Sequence, residues 1–266
     1  MKSELYSKKI REISLKLVHK AKASHIGSAL SIADLLGVLF SKEDFYNFSK
    51  KEDPYRDKLL LSKGHACVAL YSALYFKGYF SYEELFTYGE DNSKFMNHAS
   101  HHVPGVEFST GALGHALPVA AGKALASKLT KKNNKIYVLL SDGELQEGSN
   151  WEAIMFANHY RLDNLTIFID NNNLQSLTTV EDTISLDPLD EKFKSFGWYC
   201  KSIIGHDHDL IKKTLNDSMQ STLPKAIILK TIKGKGVSYM ENNVDWHYRS
   251  PSKEELKVAL EELGIK

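Results

Sequence analysis

Two stretches, IYVLLSD at 136–142 and NLTIFID at 164–170, constrain this chain more than anything else in it. Each is an unbroken run of β-branched and other apolar residues, the pattern of a strand buried on both faces, and each ends in an aspartate. Between them, residues from about Trp151 to Tyr160 have helical spacing. Two buried strands joined by a helix make a parallel crossover unit, and in sheets of that kind ligands sit beyond the carboxyl ends of the strands. A ligand crevice is thereby expected beyond the carboxyl ends of these two strands.

The rest of the chain extends the pattern. A surface helix is predicted over Leu5 to Val18 and a second over Ile32 to Phe40. Leu59 to Leu61 read as a short buried strand, followed by a glycine turn and an apolar helix ending near Gly78. Gly111 to Leu129 is rich in Ala, Gly and Leu, as a closely packed helix is, and the polar loop TKKNNK ends it. Further strands are expected at 197–203 and 225–231, with a helix from about Asp209 to Met219 between them, and SKEELKVALEEL reads as a terminal helix. No repeat or low-complexity linker interrupts the order. The fold class is α/β, a mainly parallel β-sheet flanked by helices on both faces.

Composition excludes several functions. Lys and Arg number 34 against 33 Asp and Glu, so no overall field holds nucleic acid or an anionic membrane. Cys67 and Cys200 lie in apolar or mixed stretches without metal-ligand spacing and read as reduced packing residues. The charged, amphipathic N-terminus is not of signal-peptide type, and no segment is long enough to span a bilayer. A cytoplasmic location is expected.

The chemistry concentrates at SDGELQEGSNWEA (141–153) and IDNNNLQSL (169–177), which follow the two strands. Asp142 would leave its strand with a carboxylate in the crevice, Gly143 would let the backbone approach a ligand, and the nearby helix N-terminus offers free N–H groups to a diphosphate. Asn172 adds an amide oxygen. One carboxylate, one amide oxygen, one main-chain carbonyl, two phosphate oxygens and water complete the all-oxygen octahedron that magnesium prefers, with calcium or manganese as substitutes. Asp-Gly and Asn-Asn are also ordinary turn residues, so each half alone decides nothing.

The paired segments resemble the thiamine-diphosphate-binding motif, and LQEGSNWEA resembles transketolase in particular. The resemblance covers nearly the whole chain and implies that residues 1–266 form a single domain, equivalent to the N-terminal, diphosphate-binding domain of that family. It implies that Asp142, Asn172 and the carbonyl of Leu174 hold the metal. Gly143 and Glu144 would belong to the cofactor region, and Glu147 to a subunit contact. Four histidine segments match in chain order: SHIGS, SKGHA, NHAS and VDWHYR. They imply that His25, His65, His98 and His247 line the cofactor and donor channel, His65 and His247 toward the diphosphate and reacting carbon, His25 and His98 toward the donor hydroxyls. Imidazole suits proton transfer near neutral pH. His19, His159, His206 and His208 read instead as surface or hydrogen-bonded structural residues. The stretch STGALGHA resembles the family's Thr-Gly-X-Leu-Gly-Gln, which implies that Gly111 and Leu113 touch the pyrimidine ring. KTIKGKGVSYMENNVDWHYRSP resembles split transketolases and related synthases, although Lys-Gly-Lys-Gly by itself is an ordinary solvated turn.

Three departures mark the match. Ser141 replaces the usual first glycine, His115 stands where Gln is common, and LQSLTTV replaces Leu-Gln-X-Asp-Gly. The resemblance further implies thiamine diphosphate as cofactor and a glutamate, supplied by a different domain, that activates it. The expected enzyme is the N-terminal subunit of a split transketolase, a transferase active only with a C-terminal, pyrimidine-binding partner in an α2β2 assembly. It would move a two-carbon ketol unit from a ketose phosphate to an aldose. The competing readings are a subunit of a 1-deoxyxylulose-5-phosphate synthase-like or 2-oxoacid dehydrogenase-like enzyme, and a non-catalytic cofactor-binding subunit.

Overall fold

The computed structural model describes residues 1–41, 47, 53–132 and 134–265. Among these, the elements in chain order are α1 (Ser3–Ala21), α2 (Ile26–Ser31), α3 (Ala33–Phe40), β1 (Lys58–Leu61), α4 (Cys67–Phe76), α5 (Tyr82–Leu85) and α6 (Ala116–Leu129). Then follow β2 (Ile136–Ser141), α7 (Gly148–His159), β3 (Leu165–Asn171), α8 (Val180–Thr183), α9 (Leu189–Ser195), β4 (Tyr199–Ile204), α10 (His208–Ser218), β5 (Lys225–Lys230) and α11 (Lys253–Glu262). The strands form one sheet in the order β1-β2-β3-β5-β4, and every adjacent pair is parallel.

Strand pleating divides the core in two. Leu59, Leu61, Tyr137, Leu139, Phe168, Ile227 and Leu229 pack on one side with Ile10 and Leu17 of α1, Leu36 of α3, Leu70 of α4 and Ile211 of α10. Their neighbours Leu60, Ile136, Val138, Leu140, Ile167, Ile169 and Ile228 face the other way, onto Leu117 of α6, Ile154 of α7 and Phe193 of α9. Because both faces are covered, β1, β2, β3 and β5 show no polar alternation, whereas Lys201, Ser202 and Ile204 of the edge strand β4 are exposed. Each such fully buried side chain is worth roughly 1.5–3 kcal/mol of transfer free energy. Polar signals set helix ends: Ser252 and Glu255 form a reciprocal capping box on α11, and Asp207 accepts from Leu210 N–H to start α10.

The predicted elements are present, with shifted boundaries. The helix expected at 32–40 is preceded by the separate helix α2, all six of whose residues are buried, so no polar face marked it in the sequence. The helix expected from Gly111 begins at Ala116; residues 111–115 are a loop on the cleft described below. Asn133 of the TKKNNK loop lies outside the described residues. Cys67 and Cys200 are free and buried. No described helix is long and apolar enough to cross a membrane.

Candidate cofactor site

Register carries the two signature segments together. Ser141, the last residue of β2, pairs with Asp170 of β3, so the turns that follow both strands meet at the carboxyl edge of the sheet. There Asp142 is buried, its Oδ2 accepting from Asn173 N–H at 2.6 Å and its Oδ1 from Gly143 N–H at 2.8 Å. Asn172 is also buried; its Oδ1 accepts from Leu174 N–H and its Nδ2 donates to Asp170. Asp142, Asn172 and Leu174 all line one cleft of about 280 Å³. Burial pushes the Asp142 carboxyl up to about 6, and the Asp170 charge adds to the rise. A nearby cation reverses both effects.

The four histidines, separated widely in sequence, converge on the same cleft. His25 takes a left-handed conformation, φ 73°, and its N–H donates to the His247 carbonyl at 2.7 Å. Its ring centroid lies 4.9 Å from that of His247, 5.2 Å from His65 and 5.6 Å from His98. Desolvation lowers every one of them: His25 to about 4 and His247 to about 3, with Lys233 and Lys63 nearby adding to the fall, His65 well below the usual range, and His98 more modestly. At neutral pH these are uncharged imidazoles, each able to donate at one nitrogen and accept at the other.

Every sequence-predicted site residue except Glu147 lines this cleft. Gly111 is exposed and Leu113 half-buried, at the open edge. The Glu144 carboxylate is fully buried and accepts from Ser62 Oγ, from Gly114 N–H at 2.9 Å and from Ser141 N–H at 3.3 Å, tying the loop before α6 to the ends of β1 and β2. Gly143 packs on Gln175, whose Cγ would stand 2.9 Å from an added Cβ. Glu147 is exposed at the start of α7.

Sequence reasoning left three charged residues of the site without a role. Lys63 is buried and ion-paired with Asp170, which also accepts from Ser31 and Thr231. Burial disfavours the Asp170 charge, but the Lys63 charge outweighs it and holds the carboxyl below its ordinary value. Lys233 stands in the Lys-Gly-Lys-Gly loop read as a solvated turn, yet it is 1% exposed. Its Nζ lies 2.7 Å from the Gln175 carbonyl and 3.0 Å from His247 Nδ1, and burial lowers it to about 8. The available signals were the aspartate closing the second strand and a lysine directly before the glycine of SKGHA.

The site therefore presents two buried ammonium groups, a carboxylate, an amide, a main-chain carbonyl and neutral imidazoles around one cavity. Among the described residues, His25 Nδ1 and Gln175 Nε2 are buried there without a hydrogen-bond partner. Unpaired buried polar atoms are costly, and a polar ligand removes the cost. A metal–diphosphate group fits this donor set: oxygen ligands for a hard cation, ammonium and imidazole N–H for phosphate oxygens. A larger cleft of about 530 Å³ opens at the opposite, amino edge of the sheet among Lys128, Lys131, Lys132, Lys135 and Lys225. Among the described residues Asp163 is its only carboxylate, and no such convergence of ligand types lines it.

Comparison with known proteins gives the family. Residues 2–266 match the family described as transketolase, thiamine diphosphate binding domain. The chain is 41% identical over 262 residues to a subunit of the apulose-4-phosphate transketolase of Phocaeicola vulgatus, covering 98% of this chain and 93% of that one. It is 37% identical over 256 residues to a 6-deoxy-6-sulfo-D-fructose transketolase subunit of Clostridium sp., covering 96% and 93%. The crystal structure of Campylobacter jejuni transketolase superposes with a TM-score of 0.94 at 33% identity, covering 99% of this chain but 43% of that longer one. This chain belongs to the transketolase family, and what it contributes is that family's thiamine-diphosphate-binding domain.

Proposed function

We propose that residues 1–266 act as one domain, the N-terminal subunit of a heteromeric transketolase that moves a two-carbon ketol unit from a ketose phosphate to an aldose. The observation that carries this reading is the convergence of Asp142, Asn172 and Leu174 with four neutral histidines and two buried lysines on one cleft. Both the apulose-4-phosphate and the sulfofructose relatives are named as transketolase subunits of nearly this length, which favours a divided enzyme over a synthase-like or dehydrogenase-like one.

In this reading Asp142, Asn172 and the Leu174 carbonyl hold magnesium, and Lys63, Lys233, His65 and His247 surround the diphosphate. Bound thiamine diphosphate supplies the electron sink that lets a carbon–carbon bond beside a carbonyl break. The chain's own residues do the rest. His25 and His98, neutral at pH 7, accept and return protons on the donor hydroxyls, and burial of the cleft excludes water. Gly111 and Leu113 border the open edge, where a partner's pyrimidine-binding domain completes the site. Glu147 and the exposed Met155 and Phe156 of α7 support a subunit contact there. An α2β2 assembly in the cytoplasm follows from the same reading.

The test mixes the purified chain with a transketolase C-terminal subunit, thiamine diphosphate and magnesium, and measures ketol transfer from xylulose 5-phosphate. Transfer in the mixture and in neither chain alone is the expected result. Pyruvate dependence with carbon dioxide release would establish a synthase-like or dehydrogenase-like enzyme instead, and cofactor binding without turnover on any ketose would leave a non-catalytic subunit.

A further inference from the structure

A second buried polar cluster lies outside the cleft. Asp34 on α3 is 6% exposed and absent from the cleft lining, yet three side chains converge on it. Arg11 of α1 donates through both terminal nitrogens, at 2.9 Å to Oδ1 and 2.6 Å to Oδ2. His206 Nδ1 lies 2.7 Å from Oδ2 and His208 Nε2 3.1 Å from Oδ1. Burial opposes the Asp34 charge, but the Arg11 guanidinium outweighs it and holds the carboxyl far below its ordinary value.

The outward-facing atoms of two of these partners end on one loop. Ile232 N–H donates to His206 Nε2 at 2.8 Å, so that nitrogen is the acceptor and the ring proton sits on Nδ1, toward Asp34. Arg11 Nε donates to the Lys235 carbonyl at 3.0 Å. These two contacts flank Lys233, whose ammonium reaches into the cleft. The loop has little freedom otherwise. Gly234, at φ 83°, donates to the Gly27 carbonyl, and an added Cβ there would lie 2.2 Å from the Met240 carbonyl oxygen. Among the described residues His208 Nδ1 has no hydrogen-bond partner, and the ring's hydrogen bond is to Asp34.

We propose that Asp34 is a positioning residue for the Lys233 ammonium, acting through His206 on the Ile232 N–H and through Arg11 on the Lys235 carbonyl. The inference rests on the reading that Lys233 faces the cofactor diphosphate. Asp34 sets the His206 tautomer and the Arg11 fork, and these grip the main chain on both sides of Lys233. Without the grip, Lys233 keeps its charge but loses its fixed place beside Gln175 and His247.

The test is a double-mutant cycle on thiamine diphosphate affinity, measured with magnesium in the assembled enzyme. Asn at 206 keeps a donor near Asp34 but falls short of Ile232, and it spares the buried Arg11–Asp34 pair. His206→Asn is expected to weaken binding about tenfold, a usual size for an outer partner of a liganding group. In a Lys233→Met background the same change is expected to weaken it less than about twofold. His206→Gln, which can reach Ile232, is expected to restore part of the loss. Equal weakening in both backgrounds, or none in either, overturns the positioning role. Unchanged affinity in Lys233→Met alone removes Lys233 from the diphosphate and overturns the inference together with that assignment.

Discussion

The ammonium of Lys63 lies 2.5 Å from Asp170 Oδ2, and neither side chain is exposed by more than 1%. Asp170 also accepts from Ser31, Thr231 and Asn172, so this pair joins α2, β3 and the end of β5 directly beneath the cleft. Removing the cation leaves a carboxylate with only neutral donors. Lys63→Met is expected to destabilise the chain by about 3–5 kcal/mol, the usual cost of stranding one partner of a buried pair. Urea denaturation measures it, and a loss below about 1 kcal/mol would show that the neutral donors alone hold Asp170.

Glu144, expected in the cofactor region, lines the cleft and is held there by Ser62, Gly114 and Ser141. Glu144→Ala strands Gly114 N–H and Ser141 N–H and frees the loop that carries Gly111 and Leu113. A stability loss of about 1–3 kcal/mol is expected, with weaker thiamine diphosphate binding in step. Intact cofactor affinity in a measurably destabilised variant would separate the loop from the cofactor.

His25 and His98 carry the proposed proton transfers. His25→Ala and His98→Ala should each lower kcat of the reconstituted enzyme by roughly 10²–10⁴-fold while affinity for the partner chain, read by analytical ultracentrifugation, stays as it was. Unchanged turnover in either variant removes that residue from the chemistry.

Stability of the cofactor-free chain should depend on pH through the histidine cluster. His25, His65 and His247 have folded pKa values below 6.5, so between those values and 6.5 the unfolded chain binds more protons. Stability therefore falls as pH drops below about 6.5, by at most about 1.4 kcal/mol per pH unit for each histidine. Thermal unfolding from pH 7.5 to 5 tests the sign: a His25→Gln chain should show a shallower slope, and an identical slope would mean that His25 titrates alike in both states.

How much of this was readable depended on how locally each feature is encoded. β2 and β3 stood out because strands covered on both faces are unbroken apolar runs, and Asp142 and Asn172 followed because one closes the first run and the other lies in the turn just after the second. Lys233 did not stand out. In sequence it is a lysine between isoleucine and glycine in a basic turn, and its burial comes from Gly27 of α2, the carbonyls of Leu174 and Gln175, and His247 closing around it. Asp34 and His206 were obscured in the same way, one within an apolar helix and the other in a polar loop, 172 residues apart yet hydrogen-bonded. The helix α2 escaped notice because its complete burial removed the polar face that marks a helix start.

The central claim is that Asp142 anchors a metal–diphosphate group in this cleft, and calorimetric titration of thiamine diphosphate tests it most directly. Wild-type chain, assembled with a transketolase C-terminal subunit, should bind the cofactor with magnesium present and lose at least about tenfold in affinity when the metal is chelated. Asp142→Ala should bind weakly whether or not magnesium is present. Tight binding by Asp142→Ala, still strengthened by magnesium, would contradict the account.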